Sequence, residues 1–217
     1  MIPTLHYISQ GKTPQEHLEN IQKACTSGVE LVQLRLKKQS EKVVHETAIQ
    51  AREITAKYQT RLIINDYYKV AAAVKADGVH LGKTDTSPVI ARKALASWQI
   101  IGGTANTLED CEALLTKNVD YIGLGPFKFT ETKENLRPVL GLNGYLTILE
   151  ELNTSVPIIA IGGIIADDIT AIMKTGVHGI AISGEITRNF NSIPELKKLI
   201  NGGPIQEERW ISEEKRK

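Results

Sequence analysis

Leu31-Val-Gln-Leu-Arg-Leu-Lys37 alternates apolar and polar side chains without a break. Successive side chains of an extended strand point to opposite faces, so Val32, Leu34 and Leu36 share one face while Gln33, Arg35 and Lys37 share the other. Such a strand is either an edge strand wetted on one side or a wall of a closed barrel, with its apolar face under helices and its polar row turned inward. The rest of the chain bears on that choice. Seven further strand-like runs are expected, at Leu5–Ser9, Arg61–Asn65, Gly78–Leu81, Ile100–Gly103, Tyr121–Leu124, Pro157–Ile161 and Gly179–Ile182. Between them, windows such as Leu18-Ile21-Cys25, Val43 to Ile54 and Leu108-Cys111-Leu114-Leu115 carry apolar residues at three- and four-residue spacing, the period of a helix. Thr13-Pro14, Ser87-Pro88 and Thr107 stand where such helices begin, and Gly28 and Gly176 where they end. Eight strand–helix units at intervals of about 25 to 30 residues favour an α/β fold, a single (β/α)8 TIM barrel, over an open doubly wound sheet. Residues 1–203 are expected to form that barrel, and 204–217 a charged tail around Trp210.

With 217 residues, 41% of them apolar, the chain can bury the core of one large domain. A formal net charge of +1, from acids and bases spread along the chain, argues against binding to nucleic acid or to a membrane surface, so an anionic partner must be met locally. Cys25 and Cys111 lie in helical patterns without metal-ligand spacing and read as buried thiols of a reducing cytoplasm. The start Met-Ile-Pro-Thr-Leu-His-Tyr7 lacks a cationic stretch followed by an apolar one, and no apolar run approaches the roughly 20 residues of a membrane span. A cytoplasmic protein is expected, and self-association into a homo-oligomer is left open.

In a barrel the reactive groups gather where strands end and helices begin. The polar residues at those positions are Gln33, Arg35 and Lys37 after the second strand, Asn65 and Asp66 after the third, Asp85 after the fourth, and Thr104 and Asn106 after the fifth. Gly162-Gly163 follow the seventh strand and Ser183-Gly184 the eighth. Asp66 and Asp85 could each merely cap the next helix. Together, two carboxylates facing cations and hydroxyls form a set that holds a diphosphate through Mg²⁺, while the glycine-rich ends of the last two strands suit a single phosphate. After the sixth strand, Gly123-Leu-Gly-Pro126 opens a connection running to Gly141, longer than the usual two to six residues and rich in hydroxyls and cations. It is either a solvated surface loop or a lid in which Thr130, Thr132 and Lys133 offer donors to phosphate oxygens.

Five motifs in order, Gln33-x-Arg35-x-Lys37, Asn65-Asp66, Asp77-Gly-Val-His-Leu-Gly82 with Asp85, Gly125-Pro126 with Thr130-x-Thr132-Lys133, and Ile161-Gly-Gly-Ile164, make the chain resemble the thiamine-phosphate synthase family from about residue 4 to 200. That family is related to the thiazole tautomerases. The resemblance implies a Mg²⁺-dependent transferase that joins a hydroxymethylpyrimidine diphosphate to a thiazole phosphate, with loss of pyrophosphate. It implies that Gln33, Arg35, Lys37, Asn65 and Lys133 hold the pyrimidine diphosphate, and that Thr104 stands where the family has a serine contacting that substrate. Arg35, Lys37 and Lys133 would act on the departing pyrophosphate. Asp66 and Asp85 would bind the metal, and Thr130, Thr132, Gly163, Ile182 and Ser183 the thiazole phosphate. Phe129 replaces the family's usual proline, Asn106 a frequent histidine, and the stretch before Ser183 is one residue short. A tautomerase-like isomerase and a non-catalytic phosphate-binding barrel are the alternatives. The first needs a titrating group that Asn106 cannot supply, and the second has no use for the retained charges.

Overall fold

In the computed structural model, residues 1–129 and 139–202 are described. Eight strands run in parallel: β1 (Leu5–Ile8), β2 (Leu31–Leu34), β3 (Arg61–Asn65), β4 (Gly78–Leu81), β5 (Ile100–Ala105), β6 (Tyr121–Leu124), β7 (Ile158–Ile161) and β8 (Gly179–Ile182). Each pairs with its neighbour in chain order, and β8 closes on β1, so the sheet is a closed barrel without an edge. The expected (β/α)8 barrel is therefore the fold observed, and the open sheet and the wetted edge strand are both excluded.

Helices α1 (Pro14–Thr26), α2 (Glu41–Lys57), α3 (Tyr68–Ala73), α4 (Pro88–Ala94), α5 (Leu108–Leu115), α6 (Gly141–Glu151), α7 (Ile169–Met173) and α8 (Gly184–Arg188) follow the eight strands in turn, and α9 (Ile193–Ile200) comes after α8. Local chemistry sets their ends. The Thr13 hydroxyl accepts the Glu16 N–H, and Thr107 and Asp110 form a reciprocal capping box on α5. Ser87 does occupy the position before α4, but its side chain makes no capping bond.

Strand alternation sorts the side chains into two cores. Leu5 and Tyr7, Val32 and Leu34, Leu62 and Ile64, Val79 and Leu81, Ile122 and Leu124, and Ile180 and Ile182 pack outward beneath the helices. Each such side chain contributes about 1.5–3 kcal/mol by leaving water. Inside the barrel a small cluster of Ile2, Tyr121, Ile159, Ile161 and Ala181 forms the floor. The inward positions above it are the polar ones, so a cleft at the strand C-termini follows directly from the alternation.

Four strand ends differ from expectation. β1 stops at Ile8, β5 continues to Ala105, β7 starts at Ile158, and β2 stops at Leu34 rather than Lys37. The last has a visible cause. Beyond Gln33, whose carbonyl accepts the Ser9 N–H at 2.9 Å, the next contact with β1 is a side chain: the Ser9 hydroxyl takes the Arg35 N–H at 3.1 Å. The ladder is replaced there, and Lys38, at φ 60°, turns the chain away.

Candidate active site

Two adjoining cavities open at the C-terminal ends of the strands. The narrower, about 140 Å³, is walled by Gln33, Arg35 and Lys37 from the β2 end, Asn65 and Asp66 from β3, His80 from β4, Asp85 from the following turn, and Thr104 from β5. The wider, about 700 Å³, is walled by Gly162, Gly163, Ile182 and Ser183 after β7 and β8. Arg35, Ile8, Ile161 and Ala181 belong to both, so a single arginine stands at the partition.

The narrow cavity is electrostatically built. Lys37 Nζ lies 2.5 Å from Asp66 Oδ2, and Asp85 Oδ2 accepts the Gly82 N–H at 2.6 Å. Neither aspartate caps the helix after it: the cap position of α3 is Tyr67, which makes no side-chain capping bond, and Asp85 spends its oxygen on its own turn. Burial works to raise the Asp66 carboxyl, but hydrogen bonds from Asp85 and Lys37 outweigh it and hold Asp66 below the usual carboxylate range. Burial and then the neighbouring Asp66 push Asp85 upward. The two carboxyls thus act directly on each other, and two carboxyls that close can share a cation. Among the described residues no cluster of three or more histidine, cysteine or acidic side chains could hold a metal alone. Two carboxylates beside an anion site are what Mg²⁺ uses, because it completes its shell with water and substrate phosphate. The donor set fits that ion.

Asn65 adds an independent sign of a ligand. Its Nδ2 is buried without a hydrogen-bond partner, and an unsatisfied buried donor costs about 1–3 kcal/mol unless something fills the gap.

The wider cavity carries a glycine turn in a wall that also holds Lys12, Arg35, Arg188, Glu16 and Glu185. Gly162 and Gly163 have φ of 91° and 70°, conformations that only glycine adopts without strain. A Cβ on Gly163 would lie 2.7 Å from the Phe129 carbonyl oxygen and 2.9 Å from Lys128 Cβ, so the turn fits closely against the start of the β6–α6 connection. Phe127 and Lys128 donate their N–H groups to Ile161 and Gly162, and the Lys128 ammonium pairs with Asp168 at 2.6 Å. Ser183 lines the cavity, whereas the Ile182 side chain packs outward in the main core, so Ile182 can offer only backbone. Thr130, Thr132 and Lys133 lie outside the described residues, as does the 204–217 tail.

Three inward residues had no role in the sequence reading: His6, His80 and Tyr121. The signal was present in the period of two, which sets His80 between the outward Val79 and Leu81. Asn106 is also placed differently from a reactive group: its amide donates to the Gly125 carbonyl, and it walls neither cavity.

Over residues 5–186 the sequence matches the family described as thiamine monophosphate synthase. The chain belongs to that family. It is therefore an enzyme, a transferase of the thiamine monophosphate synthase family, and its relatives agree. A thiamine-phosphate synthase of Flavobacterium johnsoniae is 46% identical over 192 residues, which cover 87% of this chain and 91% of the relative. One from Bacteroides fragilis is 42% identical over 201 residues, covering 91% and 98%. Among solved structures, a thiamine phosphate pyrophosphorylase from Pyrococcus furiosus superposes with a TM-score of 0.78 at 29% identity, covering 92% of this chain and 96% of that one. A 3-hexulose-6-phosphate synthase, TM-score 0.66 at 16% identity, shares the barrel fold alone. No described helix is long and apolar enough to cross a membrane.

Proposed function

We propose that this member of the family is a Mg²⁺-dependent thiamine-phosphate synthase. It couples 4-amino-2-methyl-5-hydroxymethylpyrimidine diphosphate to thiazole phosphate, giving thiamine phosphate and pyrophosphate. One observation carries the proposal: two adjoining anion-suited cavities of different make meet at Arg35, and only one holds the paired carboxylates. A diphosphate fits the charged cavity beside Asp66 and Asp85, and a monophosphate suits the glycine-lined one.

In the reaction the bond from the pyrimidine methylene carbon to the diphosphate oxygen breaks, and its electron pair leaves with pyrophosphate. The ring's own amino group stabilises the resulting cation, so no protein nucleophile is required. Arg35 and Lys37 face the leaving group, and their fixed positive charge favours the state in which negative charge has built up on it. Lys133 is assigned the same task by its motif. Bound at Asp66 and Asp85, Mg²⁺ would neutralise part of the diphosphate charge. Gln33, Asn65 and Thr104 orient the pyrimidine diphosphate. Gly163, the Ile182 backbone and Ser183, with Thr130 and Thr132 of the connection, orient the thiazole phosphate so that its ring nitrogen attacks the methylene carbon across the partition. Holding both rings in register removes the entropy cost of their meeting.

Incubation with both substrates should yield thiamine phosphate and pyrophosphate in equal amounts, and chelation of Mg²⁺ should stop the reaction. Isomerisation of a thiazole phosphate without any coupled product would instead point to a tautomerase. Asn106, spent on Gly125, is not positioned to be the base of such an enzyme.

A further inference from the structure

His80 and Tyr121, linked in a line of hydrogen bonds under the narrow cavity, take no part in the steps above. His80 on β4 and Tyr121 on β6 are both in register with Gly102 on the strand between them. A Cβ at Gly102 would fall 2.1 Å from Tyr121 Cζ and 2.5 Å from its hydroxyl oxygen, so glycine is what lets the phenol cross β5. On the far side the hydroxyl lies 3.0 Å from His80 Nδ1, and His80 Nε2 lies 2.8 Å from Thr104 Oγ1. Gln33 hydrogen-bonds the same phenol. Gly123, in register with Thr104, leaves room for the imidazole, since a Cβ there would stand 3.1 Å from His80 Cε1.

A neutral imidazole donates from one nitrogen and accepts at the other, so one proton sets the direction of the whole line. Burial pushes the Tyr121 phenol well above its ordinary value, so it keeps its proton; of the two facing groups the phenol O–H is the more acidic donor and the imidazole nitrogen the more basic acceptor. Across the 3.0 Å between them the phenol proton therefore points to His80 Nδ1. Nε2 then carries the imidazole proton and donates to Thr104 Oγ1. The Thr104 hydroxyl proton is left for the cavity that this residue lines.

We infer that Tyr121 is a positioning residue: it holds His80 in the Nε2–H tautomer, so that Thr104 presents a donor to an anion in the narrow cavity. The functional half of this inference rests on the proposed reaction, in which that anion is the diphosphate. The opposite tautomer would spend the Thr104 proton on His80 and turn oxygen lone pairs towards the phosphate.

Tyr121→Phe keeps the ring and removes only the hydroxyl. Long-range ¹⁵N NMR of the His80 ring should report the Nε2–H form in the wild type and a loss of that preference in the variant. Affinity for inorganic pyrophosphate with Mg²⁺ should fall about tenfold in Tyr121→Phe, the scale of one hydrogen bond to a charged group. In a Thr104→Ala background the same change should cost less than about twofold, because the effect is routed through Thr104. An Nδ1–H wild type overturns the inference, as does an undiminished tenfold loss in the Thr104→Ala background. If the wild type does not bind pyrophosphate at all, the proposed reaction fails, and the tautomer measurement still decides the relay.

Discussion

The two cavities at the barrel mouth solve the same problem by different means. On the β2–β5 side the proposed diphosphate site is made of side-chain charge: Arg35, Lys37 and a carboxylate pair suited to a cation, in about 140 Å³. On the β7–β8 side the proposed phosphate site adds the Gly162-Gly163 turn and Ser183 to a wall of mixed charge, with Lys12, Arg188, Glu16 and Glu185, in about 700 Å³. A leaving group gains charge during reaction, and long-range charge responds to that gain. A phosphate that is only held does not change its charge, and short backbone contacts suffice for it. The charged side should therefore govern turnover and the glycine side should govern affinity.

Arg35 tests that division most severely because it borders both cavities. Arg35→Ala should lower kcat by about 10³-fold and also raise KM for both substrates, the scale of losing a preorganised electrostatic contact. A change in one KM alone, measured by steady-state kinetics, would mean that the partition is not shared. Asp85→Asn comes next, with kcat lower by about 10²-fold and a weakened response to Mg²⁺ titration. The amide oxygen can still accept the Gly82 N–H, so the melting temperature should hold. Unchanged kcat at an unchanged Mg²⁺ requirement would remove Asp85 from the metal site. Gly163→Ala should raise KM for the thiazole phosphate about tenfold with little change in the pyrimidine constant, because a Cβ there strains φ and strikes Phe129 and Lys128. Should the pyrimidine constant move instead, the two cavities have been assigned the wrong way round. The smallest effect belongs to Lys128→Ala. Its ammonium end of the pair with Asp168 is half exposed, and pairs open to solvent contribute about 0–1 kcal/mol, so KM for the thiazole phosphate should change less than about threefold.

Sequence alone was a good guide to the barrel and to the charged cavity, for one reason. Both follow from the period of two, which places Gln33 opposite Val32 and Leu34 whatever the third dimension does. The end of β2 was not readable, because alternation continues through Arg35 and Lys37 after the ladder has handed over to the Ser9 hydroxyl. A sequence does not show where a neighbouring strand stops. His80 and Tyr121 escaped notice for a related reason: they are forty-one positions apart and meet only because Gly102 lies between them in register. The glycine turn after β7 was legible as Gly162-Gly163, but its tight fit against Phe129 depends on a strand-to-strand approach that no local pattern encodes.

The roots of the β6–α6 connection are also fixed independently of what lies between them. Leu140 and Gly141 donate their N–H groups to the carbonyls of Pro126 and Phe127 at 2.9 and 3.1 Å, so the chain leaves the barrel and returns to it at one clasped point. For protein engineering this makes the segment a replaceable cassette. Because closure entropy grows slowly with length, doubling an insert between clasped ends costs only about 0.6 kcal/mol. On the proposed roles of Thr130 and Thr132, acceptor specificity could then be reprogrammed by exchanging residues around them, with Lys133 kept, while the barrel, the clasp and the charged cavity stay as they are.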